Sequence, residues 1–171
     1  MLFSFGQNST KQLASDSENL DQVCIPEEIK LPFEPLDCLD IAGNTTHTLA
    51  IDRHGHLYGW GATDDGILAC DEEEGVRAVA PARIPLPDDF QPVGVAAGPK
   101  TSFVWGKDGR AFAWGFNSSG ELGLGLEDDT VQKCPKQVIS KHLHNPDADI
   151  DRKIVQISAG AQHTIFLARD S

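Results

Sequence analysis

His54-Gly55-His56 and His142-Leu143-His144 are the residues of this chain whose types and spacing come nearest to chemistry. On a strand, H-x-H puts two imidazoles on one face, where they could hold a metal ion. No carboxylate or cysteine partner stands beside either pair in sequence. The first pair reads as a hairpin turn and the second as a loop, so both are expected to be solvent-exposed. Cys24, Cys38, Cys70 and Cys134 form no C-x-x-C pair and are expected to be reduced and half-buried. Serine, histidine and aspartate abound, yet no G-x-S-x-G elbow precedes a helix. Gly120 to Gly125 is glycine-rich but lacks the lysine and the following helix of a phosphate loop. The reading is of a non-enzyme with no catalytic residue, metal or cofactor.

Composition narrows the partners. The chain has 171 residues, 40% hydrophobic and 23% charged, as in an ordinary globular protein. Its net charge of −12 repels phosphate backbones, which disfavours direct nucleic-acid binding. The acidic runs Asp71–Glu74, Glu127–Asp129 and Asp147–Asp151 read as solvated loops, with a docking surface for a basic partner as the sharper alternative. No run approaches the roughly 20 apolar residues of a membrane helix. The opening MLFSFGQNSTKQLA has no basic stretch of a signal peptide, so a cytoplasmic or nuclear location is expected. Asn8, Asn44 and Asn117 head N-x-S/T triplets and read as turn residues.

The elements that must position these residues come from a repeat. LDIAGNTTHTLAIDRHGHLYGWG, VGVAAGPKTSFVWGKDGRAFAWG and VQISAGAQHTIFLARDS share one frame. An apolar strand ends on Gly43, Gly98 or Gly160, a short turn follows, and a half-buried strand begins at His47, Thr101 or His163. Arg53-His54-Gly55, Lys107-Asp108-Gly109 and the terminal Arg169-Asp170 read as hairpin turns. The return strands carry Trp60-Gly61 and Trp114-Gly115, 54 residues apart. The longer third step is ascribed to a loop around Ser140 to Arg152. Proline-bounded segments at Pro81–Ile84 and Pro135–Ile139 suit outer edges. About four short antiparallel strands per unit, without helical periodicity, predict an all-β fold: a partial β-propeller of four-stranded blades. The approximate units are 1–37, a back half-repeat plus linker; 38–91; 92–140; and 141–171, a loop plus front half-repeat. Trp60, Trp105 and Trp114 are expected in the core.

Ala-Gly-x-x-His-Thr, then Asp-Gly-x-x-aromatic-x-Trp-Gly, then Asn-x-x-Gly-Glu-Leu-Gly-x-Gly resembles the repeat of the regulator-of-chromosome-condensation family, most clearly over Ala97 to Gly125. The copies depart from it at Thr101, where the family has His, at Asn44-Thr45-Thr46, one residue longer than the usual turn, and at Ala62-Thr63-Asp64. Phe5-Gly6 stands for Trp-Gly and Gln12-Leu13-Ala14 for Gln-Leu-Gly. About three repeats are present where the family's full domain has seven, so a truncated form or a piece completed by another chain is expected. Open blade edges would invite self-association. The resemblance makes His47 and His163 blade-packing residues and Gly43, Trp60, Gly61, Gly98, Trp114, Gly115 and Gly160 structural.

What the resemblance implies for function is a protein-interaction module, an adaptor or regulatory scaffold. Its partner would be another protein, basic or a small GTPase, and its contacts would fall at the turns holding Asn44, Thr45, Thr46, Pro99, Lys100, Ala161 and Gln162. The alternative is a guanine-nucleotide exchange factor. The founding member acts so on Ran, through acidic and histidine residues in these turns; here the turns hold no acid. A further alternative is a short propeller that supports tRNA wobble-uridine or diphthamide modification through a small zinc-protein partner. Repeats of this family also occur as regulatory domains of kinases and ubiquitin ligases.

Overall fold

The computed structural model describes residues 1–15, 21–69, 77–125, 130–140, 142–146 and 150–171. Period-two apolar runs separated by glycine turns form strands, and four sheets result. The first holds β1 (Phe3–Gln7) and β2 (Gln22–Glu28). The second runs β3 (Cys38–Gly43), β4 (His47–Asp52), β5 (Leu57–Ala62), β6 (Arg77–Ile84) in order. The third repeats this with β7 (Pro92–Gly98), β8 (Thr101–Gly106), β9 (Ala111–Phe116) and β10 (Val131–Gln137). The last joins β11 (His144–Asn145), β12 (Ile150–Ala159) and β13 (Thr164–Asp170). Every pairing is antiparallel. These are two complete blades flanked by two half-blades, a partial β-propeller.

The blades pack face to face, which explains why β4 and β8 are apolar on both faces. Leu49, Ile51 and Leu57 of one blade meet Val95, Val104, Phe112 and Trp114 of the next. Phe103 and Ala113 in turn meet Ile154 and Ile157 of the last sheet. Pro81 and Pro135 sit where the outer strands β6 and β10 break register with their neighbours, a place where a missing N–H costs no ladder bond.

One hydrogen-bond arrangement recurs at every junction. After each third strand the chain makes a tight loop whose carbonyl points into the next blade. The Gln12 carbonyl accepts from Thr48 Oγ1 (2.8 Å) and Trp60 Nε1 (2.9 Å). The Ile67 carbonyl accepts from Ser102 Oγ (2.7 Å) and Trp114 Nε1 (2.8 Å). The Glu121 carbonyl accepts from Thr164 Oγ1 (2.7 Å). The loops hold their shape through left-handed residues at matching places: Lys11, Gly66 and Gly120 before the carbonyl, and Ala14, Ala69 and Gly123 after it. Asn8 and Asn117 are buried, and each side-chain carbonyl accepts a loop N–H, from Leu13 and Leu122 at 3.1 Å.

Several sequence expectations are corrected. Arg169-Asp170 is no hairpin turn; it continues β13 and pairs with Arg152 and Lys153. Part of the supposed loop at Ser140 to Arg152 is strand, because β12 extends to Ile150 and pairs with β11. Cys24 and Cys134 lie exposed on outer strands and Cys38 is half-buried; Cys70 lies outside the described residues. The acidic runs 71–74 and 127–129 and most of 147–151 lie outside them too.

Two outcomes follow for stability. Trp114→Ala should cost about 3–5 kcal/mol, the usual loss for a core aromatic. Trp114→Phe, which keeps a ring but loses the N–H to Ile67, should cost about 1–2 kcal/mol. Both are read from urea unfolding, and an unchanged midpoint for Trp114→Phe would mean that the indole hydrogen bond contributes nothing. Ala69→Gly should raise stability by up to about 1 kcal/mol, because it relieves a left-handed alanine that glycine adopts without strain. A fall in the unfolding midpoint would contradict that.

Candidate protein-binding face

The turns from first to second strand, 44–46, 99–100 and 161–162, lie in series along one rim. Asn44 Nδ2 donates to the Gly98 carbonyl (2.6 Å), and Thr46 Oγ1 donates to the Pro99 carbonyl (2.8 Å). A Cβ built on Gly98 would stand 2.9 Å from the Gly160 carbonyl, so the second turn abuts the third. The extra residue of the first turn thus has a purpose. Asn44 Oδ1 accepts from the Thr46 amide (2.7 Å), which shapes the longer loop and aims Thr46 at the neighbouring blade.

Each turn is locked from behind. Gly61 (φ +117°) and Gly115 (φ +106°) lie beneath the turn carbonyls of Thr46 and Lys100; a Cβ would come within 2.4 Å of either. The next amides, of Ala62 and Phe116, donate to those same carbonyls at 3.0 and 2.8 Å. Only glycine allows both the positive φ and the close approach.

His47 is fully buried beneath this rim. Its Nε2 lies 2.8 Å from Ser102 Oγ, which itself donates to the Ile67 carbonyl, so the ring carries its proton on Nε2. Nδ1 then accepts from the Asn44 amide at 3.2 Å. Burial pushes the imidazole pKa down to about 3. His47 is therefore a neutral strut between two blades. Thr101 occupies the matching place in the next blade, and its buried hydroxyl has no partner among the described residues. His163 occupies it in the last sheet and is exposed, because no further blade covers it. The blade-packing role expected of His163 is thus not made within this chain.

Of the seven turn residues singled out in the sequence, the rim exposes Thr45, Lys100, Ala161 and Gln162. Asn44, Thr46 and Pro99 are half-buried and serve the blade-to-blade bonds through side chain or carbonyl. The sequence reading missed an acid here. Asp65, from the loop after Trp60, reaches Lys100 Nζ at 3.0 Å, while that ammonium lies 4.8 Å from the Phe116 ring centroid. Nothing in the repeat spacing pointed to Asp65, since it comes from the preceding blade.

The H-x-H pairs also need correcting, because each has a carboxylate beside it. Asp52 is buried, accepts from the His54 and His56 amides (both 2.9 Å), and lies 3.0 Å from His56 Nδ1. Burial would raise the Asp52 pKa, but these hydrogen bonds outweigh it and hold the carboxyl below its ordinary value. His144, on β11 rather than a loop, lies 3.5 Å from Asp151. No group of three or more metal-ligating side chains comes together among the described residues.

Two measurements test the rim. A histidine whose pKa falls on folding supports the fold above its ordinary value near 6.5 and withdraws that support as pH falls toward 3. The folding equilibrium constant should therefore fall with acidification from pH ~6.5 to ~5, above the carboxylate range, approaching tenfold per unit. His47→Gln should flatten that slope, and an unchanged slope would deny the buried neutral ring. Thr101→Val removes an unpartnered buried hydroxyl at nearly constant shape and should raise stability by on the order of 1 kcal/mol; a lower melting temperature would show that the hydroxyl is satisfied.

Comparison with known proteins agrees with this architecture. The regulator of chromosome condensation (RCC1) repeat model matches residues 108–167. The regulator of chromosome condensation of Xenopus laevis is 29% identical over 170 residues, 98% of this chain and 37% of that protein. The crystal structure of human WBSCR16 superposes with a TM-score of 0.83 at 18% identity, over 98% of this chain and 40% of that one. Prp20p of Saccharomyces cerevisiae, solved in a study of its binding to Gsp1p and histones, gives 0.77 at 22% identity, over 99% of this chain and 40% of that one. The chain thus spans about two fifths of the length of these three relatives. With the carbonyl clamps, the Trp-Gly strands and the Ala-Gly turns all in register, the chain carries the regulator-of-chromosome-condensation repeat over residues 108–167 and is similar to proteins built from it.

Proposed function

We propose that this chain works as a non-enzymatic protein-binding module, and that its turn rim holds a basic protein. The observation that carries the reading is the rim itself. It is a continuous row of small or polar residues, pinned blade to blade by Asn44 and Thr46 and supported on Gly61 and Gly115. Exposed turns on a rigid scaffold are the usual carriers of recognition, and a preformed rim loses little entropy on binding. The net charge of −12 supports a basic partner by speeding association. Histones, which Prp20p was studied with, have that chemistry. The relatives' part in chromosome condensation supports a nuclear location.

Nucleotide exchange is the second reading, and Prp20p with Gsp1p favours it. Against it, the turns hold no acid of their own, and Asp65, which reaches the rim, is engaged by Lys100.

Thr45→Trp with Gln162→Trp should block the rim while leaving Asn44, Thr46 and Lys100 in place. The double variant should lose at least tenfold in affinity for purified histones, measured by fluorescence titration at two salt concentrations. Unchanged affinity would place the contact elsewhere. In a separate assay, the chain at micromolar concentration should not speed nucleotide release from Gsp1p. Clear stimulation would replace the scaffold reading with exchange.

A further inference from the structure

We propose that Asp65 and Phe116 form a seat for one ammonium group on the rim, that Lys100 fills it in the free protein, and that a lysine side chain of the basic partner takes its place on binding. The seat serves the protein-binding rim proposed above, on which it rests, and reads one side chain of the partner. At each junction the loop after a third strand meets the turn of the next blade. Thr10, Asp65 and Ser119 hold matching places in the loops, and Thr46, Lys100 and Gln162 hold matching places in the turns. At the first junction Thr10 Oγ1 donates to the Thr46 carbonyl (2.9 Å) and Gln12 Nε2 to the Thr45 carbonyl (3.2 Å). Loop and turn are tied there through main-chain atoms. At the second junction the loop brings a carboxylate instead.

An ionised carboxylate only accepts, so it cannot repeat the tie that Thr10 makes to a carbonyl. A cation satisfies it, and Lys100 supplies one. Lys100 Nζ lies 3.0 Å from Asp65 Oδ2 and 4.8 Å from the Phe116 ring centroid. Ala62 holds the place of Phe116 in the preceding blade, so among the described residues acid and ring coincide at the second junction alone. Both walls of the seat are preformed. Asp65 has a left-handed φ of +57° beside Gly66 at +69°, and the Ile67 carbonyl just after them is fixed by Ser102 and Trp114. Phe116 is held by its amide bond to the Lys100 carbonyl (2.8 Å) and by its pairing with Val131 of β10.

The present occupant is the movable part. The Lys100 side chain is 54% exposed and that of Asp65 only 26%. A lysine stem is flexible, loses rotamer freedom when it is held, and regains a full hydration shell when it leaves. Its main chain need not move, because the Lys100 carbonyl stays bound to the Phe116 amide. An exposed ion pair with a cation–π contact favours the filled seat by about fivefold. A partner lysine that meets the same carboxylate and ring replaces Lys100 like for like, and the displaced ammonium returns to water. The net charge of −12 draws such a partner to the rim. Until then Lys100 is a built-in competitor, which lowers the apparent affinity by the fraction of time that the seat is free.

The probe is a fluorescein-labelled peptide of glycine–lysine repeats, titrated by fluorescence anisotropy at physiological salt. Lys100→Met empties the seat of its cation and should tighten the peptide about fivefold. Lys107→Met makes the same change of charge beyond the other end of β8 and should leave the affinity within about twofold of the parent, since salt screens exposed charges at that distance. Asp65→Asn keeps a residue type that tolerates the left-handed conformation. Added to Lys100→Met, it should abolish the gain. The same peptide with acetylated lysines should not bind the Lys100→Met protein. Equal gains from Lys100→Met and Lys107→Met, a gain that survives Asp65→Asn, or no binding of the unmodified peptide to the Lys100→Met protein would each overturn the seat. Those outcomes leave the rim intact as a binding face, which stands or falls with the tryptophan double variant and histones.

Discussion

A main-chain carbonyl fixed in a tight loop and held by side-chain donors from the next blade is the constraint on which this structure depends. A sheet of four short strands has two apolar faces and cannot stand alone in water. It must be covered on both sides, and the cover must keep its register. Face-to-face burial supplies the driving force but has no direction. The loop carbonyls of Gln12, Ile67 and Glu121 supply the direction, because a buried carbonyl without a donor is costly and the donors stand at one place only. The tryptophans serve twice, filling the space between sheets and donating from the indole N–H.

The same economy explains the rim. The turns are bound to each other and to the glycines beneath them, so their exposed tips have little freedom left to lose. His47 shows how far this goes. In sequence it is a histidine after a repeated turn, read through the family resemblance as a blade-packing residue. In the fold both ring nitrogens are engaged and burial keeps the ring neutral. A group so placed can neither exchange protons near neutral pH nor meet a ligand.

Imperfect copies of the repeat show where the pattern bears strain. Ala14 and Ala69 take the left-handed conformation that Gly123 takes freely, and the surrounding bonds hold them there. Thr101 stands where the family repeat has a histidine, and its hydroxyl finds no partner among the described residues, so nothing there matches the His47 strut between the first two complete blades.

The sequence by itself determined the four strands of each middle blade, the blade order and the glycine-dependent turns, because those follow from period-two apolar runs, glycine positions and spacing, all of them local. It also showed the two half-repeats at the ends. Only the tertiary structure decided which polar residues were left at the surface. Asn44 and Thr46 were expected as contact residues, yet they turn sideways to bond the next blade. Asp65 arrives at the rim from a loop of another blade. Asp52, two residues before His54 in the chain, proves to be the buried partner of His56, where the sequence reading had given the histidine pair no carboxylate. His47 and His163, alike in sequence, become a buried strut and an exposed side chain. The reason is the same in each case: burial and hydrogen-bond partners between blades depend on which blades stand side by side, and repeat spacing alone does not carry that information.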